Sequence, residues 1–88
     1  MTSMDFYEGE LKLERTVQNH SLYRKCNGKL YYVMGQAEHT ETYEDMVIYH
    51  ALYGEGETFV QPKEIFLSFA PEGKENKTGQ KYLFELID

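Results

Sequence analysis

The chain has 88 residues, with 15 Asp and Glu against 9 Lys and Arg, for a formal net charge of −6. This length supports one domain, because smaller pieces would not bury a core without disulfides or metals. The acidic balance has no basic run to neutralise a phosphate backbone, which excludes non-specific binding to long nucleic acid.

Eight Tyr, five Phe and no Trp supply the large side chains a small core needs. Cys26 is the single cysteine, which rules out an intramolecular disulfide, suggests a reducing compartment and reads as a small packing residue. No stretch approaches the roughly 18–20 apolar residues of a membrane span. The polar start, Met1-Thr-Ser-Met-Asp, lacks the regions of a signal peptide. A cytoplasmic location and no membrane partner are expected.

In chain order, residues 1–20 read as an extension, with Leu11, Leu13 and Val17 alternating as in an added strand. From Ser21 onward the chain consists of short β-prone runs separated by turn residues. The run Ser21 to Cys26 ends at Asn27-Gly28, a two-residue hairpin signal because both residues accept positive φ. The next run, Lys29 to Ala37, places Leu30, Tyr32 and Met34 on one face and Tyr31, Val33 and Ala37 on the other. A polar loop with four carboxylates, Glu38 to Asp45, leads into Met46 to Tyr53. There Met46, Ile48 and Leu52 oppose Val47, Tyr49, Ala51 and Tyr53.

Both faces of these two strands are apolar or aromatic, as expected where a small sheet curls closed and something else covers the outside. Gly54-Glu-Gly-Glu57 makes a turn before Thr58 to Gln61, and its carboxylates would repel a phosphate. Pro62 suits the start of one helical turn to Phe66. Residues 71–79 read as a mobile loop, and Lys81 to Ile87 as a last strand with Tyr82, Phe84 and Leu86 on one face. The fold expected is mainly β: a single domain over residues 1–88, with residues 21–88 forming a small SH3-like antiparallel barrel of five or six short strands and one helical turn near Pro62.

The blocks Tyr23-Arg24, Gly28-Lys-Leu-Tyr31, His39-Thr-Glu-Thr42, Val47-Ile-Tyr49, Ala51-Leu-Tyr-Gly54, Phe59-Val60, Pro62 and Phe66 occur in order with almost no gaps. This stretch, Tyr23 to Phe66, resembles a small bacterial domain family of unknown function, family 1653. Its pattern runs close to Tyr-Arg-His-x-x-Gly, His-Ser-Glu-Thr, Val-Val-Tyr-x-x-Leu-Tyr-Gly and Trp-Val-Arg-Pro. Lys25 stands where that pattern has His, Phe59 where it has Trp and Gln61 where it has Arg. The resemblance implies a compact β domain and no particular reaction.

His39 and Glu41 would share one side of an extended segment, where they could act as base and orienting carboxylate or as two metal ligands. The structural alternative is that Thr40 and Thr42 bond the local backbone, with His39 as a hydrogen-bond partner. No zinc-type spacing links His20, His39 and His50, and no activated nucleophile is evident, so neither metal nor cofactor is implied. Tyr31, Tyr49 and Tyr53, with Tyr23 and Tyr32, lie on three adjacent predicted strands and could stack a planar ligand, with Arg24 adding a contact to phosphate or carboxylate.

The function expected is a non-catalytic binding module for a planar small molecule, nucleotide or peptide, lined by Arg24, Tyr31, His39, Glu41, Tyr49 and Tyr53. The alternatives are a small hydrolase or nucleotide-modifying enzyme using His39 and Glu41, and an accessory domain whose aromatic outer face buries against a second copy or another chain.

Overall fold

The computed structural model describes residues 15–87. It contains strands β1 (Ser21–Lys25), β2 (Leu30–Glu38), β3 (Asp45–Ala51) and β4 (Thr58–Pro62), a single helical turn α1 (Lys63–Phe66), and β5 (Phe84–Leu86). The five strands form one antiparallel sheet in the order β4-β3-β2-β1-β5.

The β1–β2 hairpin turns through three residues, not two. Lys25 N–H bonds the carbonyl of Lys29 and Gly28 N–H bonds that of Lys25, with Gly28 at φ 92 and Asn27 absent from the positive-φ residues. This is a turn followed by a left-handed residue, a position that glycine fills without a Cβ clash. The Asn27 side chain still contributes, accepting the Lys29 N–H at 2.9 Å.

Register explains which residues are inside. Directly paired residues share a face, so Ser21, Val33, Tyr49 and Phe59 form one row and Tyr23, Tyr31 and Ala51 another. The pairing then shifts between Val33 and Gly35, where β2 carries one extra residue at Met34. A bulge of this kind exchanges the faces beyond it. Gln36 therefore joins Val47 and Gln61 on the inner face, and Ala37, expected beside Tyr31 and Val33, joins Met46 and Pro62 on the outer one.

The inner face carries the core: Tyr23, Tyr31, Val33, Val47, Tyr49, Ala51 and Phe84, with Val17 and Phe66 packed onto it. Full burial of each large apolar side chain contributes about 1.5–3 kcal/mol, which is why a chain this short relies on aromatics. Phe66 reaches this layer because Pro62 ends β4 and fixes the turn into α1. After α1 the chain returns antiparallel to itself: Phe69 pairs with Tyr82, Ala70 N–H bonds Lys81, and Leu83 N–H bonds Ser68. The intervening segment, read from composition as mobile, is tied down by Lys77 N–H to the Cys26 carbonyl at 2.7 Å and by Asn76 to Gln80 and Gly79.

The sheet is open. Its edges, β4 and β5, do not pair with each other, so the expected SH3-like barrel is not formed as a closed ladder among the described residues. Closure needs two edges brought together by strand tilt and stagger. Here α1 and the 67–83 return cover the inner face. Among the described residues no strand or helix packs over the apolar outer face, which suggested a curled sheet. The expected N-terminal strand falls largely outside the described residues, and residues 15–20 carry no strand, although Val17 is buried in the core. No helix of the described residues is long and apolar enough to cross a membrane.

Candidate binding site

Three of the tyrosines singled out in the sequence converge. Tyr31 lies edge-on to Tyr49 at 5.5 Å and to Tyr53 at 5.6 Å between ring centroids, and Phe59 closes on Tyr49 at 5.6 Å. Their polar ends are paired as well. The Tyr31 and Tyr53 hydroxyls share a 2.8 Å hydrogen bond, and the Tyr49 hydroxyl donates to Gln61 Oε1 at 3.1 Å. Burial, then the hydrogen bond with Tyr53, pushes the Tyr31 phenol up to about 12, and burial raises Tyr49 also. Both remain neutral at physiological pH. Tyr31 and Tyr49 are buried, so only Tyr53 and Phe59 present ring surface to solvent, and the Lys29 ammonium sits 4.4 Å from the centre of the Tyr53 ring.

His39 and Glu41 are elsewhere. His39 lies eight positions beyond Tyr31, about 26 Å at the usual rise, and begins the loop at the far end of β2. Its Nδ1 accepts the backbone N–H groups of Glu41 at 3.1 Å and Thr42 at 3.3 Å. The His39 N–H bonds the Glu44 carbonyl, the Tyr43 N–H bonds the His39 carbonyl, and Tyr43 takes φ 64. Thr42 Oγ1 accepts the Glu44 N–H and donates to the Glu44 carboxylate. The His-Thr-Glu-Thr block thus closes its own loop, with His39 Nδ1 already occupied as an acceptor and Glu41 exposed.

Replacing His39 with Ala should therefore lower stability by about 1 kcal/mol, as for other lost side-chain caps, while Asn, whose amide oxygen can reach the same N–H groups, should recover part of it. Urea denaturation of both variants measures this, and an unchanged stability in His39→Ala would show that the cap contributes nothing.

Arg24 is on the opposite side of the sheet from the tyrosines, paired with Leu30 and Glu85. This outer face is formed by three main rows: Arg24 with Leu30 and, continuing the ladder, Leu52; Leu22 with Tyr32, His50 and Thr58; and Gly35 with Ile48 and Val60. Val60 is 60% exposed and Leu52 46%. Its charged or titratable groups are Arg24, His50 and, near Tyr32, His20, together with Glu85 at the β5 edge, whose carboxylate already accepts two backbone N–H groups. In a chain of net charge −6, a surface with a single carboxylate is distinctive.

The sequence reading missed Phe59 and Gln61 as partners of the tyrosines, though both lie in the same alternating run, and it placed Arg24 with them. Alternation assigns residues to faces but does not say which face of a neighbouring strand joins them; register does. A cleft of about 430 Å³ between the loop end and α1 is lined by Glu44, Asp45 and Glu64 with Lys63, Pro62 and Leu67. No group of three or more His, Cys, Asp or Glu among the described residues is placed to hold a metal ion.

No curated protein and no solved structure gives a significant match to the chain. A family model does: the one described as a protein of unknown function, DUF1653, matches residues 21–78. The match begins with β1, takes in β2 to β4 and α1, and stops short of β5. The blocks from Tyr23-Arg24 through Pro62 and Phe66 all lie within it, and on that match the chain belongs to the DUF1653 family.

Proposed function

We propose that this domain is a non-catalytic binding module, that its binding surface is the outer face of the sheet, and that its ligand is an apolar peptide or protein segment carrying carboxylates. The observation supporting this reading is that, among the described residues, the core and α1 lie on the inner face of the sheet, while Leu22, Tyr32, Ile48, Val60 and Leu52 form a contiguous second face. Contiguous apolar surface of this kind marks interaction sites in small proteins. Arg24 and His20 beside it and His50 within it favour an acidic partner over a basic one. The tyrosine cluster serves this reading by rigidifying the sheet from below, since two of its three rings are buried.

The test is titration of the isotope-labelled domain with a panel of peptides and nucleotides, followed by amide shifts. Acidic apolar peptides are expected to move the amides of Leu22, Tyr32, Ile48 and Val60 saturably, and Val60→Glu to weaken that binding at least about tenfold through like-charge repulsion and lost apolar contact. Val60 is exposed enough for the variant to fold. Shifts confined to other surfaces, or an affinity unchanged in Val60→Glu, would remove the reading. So would the absence of any saturable peptide together with a monomer at all concentrations in sedimentation.

A further inference from the structure

A separate aromatic surface lies on the return segment beyond α1. Phe69 and Tyr82 are cross-strand partners with rings stacked at 5.3 Å and 13°, and the Arg15 guanidinium carbon lies 3.7 Å above the Tyr82 ring centre. Tyr82 takes one face of the Phe69 ring, and Phe69 is 67% exposed. The Lys81 ammonium lies 5.4 Å from the Tyr82 ring centre and 6.0 Å from that of Phe69.

Charge is distributed unevenly in a way that favours an anion here. Residues 15–25 and 68–87 carry six Lys and Arg against three Glu, whereas residues 36–67 carry one Lys against seven Asp and Glu. One of the three, Glu85, accepts the backbone N–H groups of Lys81 and Tyr82 at 3.0 and 3.1 Å, which offsets part of its charge. The Arg15 guanidinium donates to the Phe84 carbonyl at 3.4 Å.

We propose that the open face of Phe69 is a stacking site for a planar aromatic anion of the nucleoside monophosphate class, the base adding the next layer and Lys81 receiving the phosphate. Every base has a π-face, so the site discriminates by planarity and charge rather than by base identity. This surface is distinct from the outer sheet face, and the proposal stands without the peptide-binding reading.

Adenosine monophosphate at low salt is the probe. Saturable binding is expected, with ring-current shifts at Phe69 and Tyr82. Phe69→Ala should weaken it about five- to one-hundredfold, the range of a lost base–aromatic stack. Lys81→Gln should weaken adenosine monophosphate while leaving adenosine unchanged, and ribose 5-phosphate should bind far more weakly than the nucleotide. Because the chain has no Trp, Phe69→Trp supplies a single fluorophore and a larger stacking surface, and its emission should be quenched by the nucleotide with undiminished affinity. Unchanged amide spectra away from the site confirm that each variant is folded. No saturable binding, equal affinity in Phe69→Ala, or ribose 5-phosphate binding as well as the nucleotide would overturn the proposal.

Discussion

Replacing Phe84 with Ala is expected to destabilise the domain by about 3–5 kcal/mol, the usual cost of removing a buried phenyl ring. A chain of this size has on the order of 4–13 kcal/mol of total stability, so the variant should be partly or wholly unfolded at 37 °C. Phe84 is fully buried, stacks on Phe66 at 4.2 Å and 10°, and meets Tyr49 at 5.2 Å and Tyr31 at 5.6 Å. It is also the residue that fastens β5, a three-residue edge strand, to the core. Phe84→Leu should lose less, because most of the volume is kept. Denaturant titration of both variants is the measurement, and a loss below about 1 kcal/mol for Phe84→Ala would mean that the aromatic layer repacks around the gap.

Most of the strand content was legible from alternation and turn residues. Tyr23, Tyr31, Val33, Val47 and Tyr49 occupy inward positions that the period of two assigns together, whereas Pro62, expected as the first helical residue, ends β4 and precedes the turn at ψ 137, with Lys63 beginning it. What alternation did not supply was the bulge at Met34, which moves Ala37 to the outer face; its local signal is Gly35, a glycine inside the strand run.

The apolar second face was also legible, but its meaning was not. Leu30, Tyr32, Ile48 and Leu52 fit a closed barrel, a covered sheet or a docking surface equally well until the edges are known. His39 shows the complementary limit. A His two residues from a Glu suggests chemistry when the backbone is extended, but a tight loop turns the imidazole onto its own backbone N–H groups. The stack of Phe69 on Tyr82 depends on a pairing across twelve intervening residues that neither segment announces.

The tyrosine layer gives the domain an alkaline limit set by one side chain. Tyr31 ionises at about 12 in the folded protein and near 10 when unfolded, because burial and the hydrogen bond with Tyr53 disfavour its phenolate. The folded state therefore keeps the Tyr31 proton at a pH where the unfolded state has already released it. Below about pH 10 both states hold that proton and stability does not depend on it. Between about pH 10 and 12 the unfolded state binds fewer protons, so stability falls as pH rises, by about 2 kcal/mol in all. Tyr49, raised in the same direction by its burial, adds to the loss. Tyr31→Phe removes this titrating group, and with it the hydroxyl bond to Tyr53. The variant should be less stable than the wild type at pH 8 but should decline less steeply above pH 10, so the two denaturation midpoints converge. Parallel midpoints from pH 8 to 12 would show that the Tyr31 hydroxyl ionises as freely in the fold as outside it.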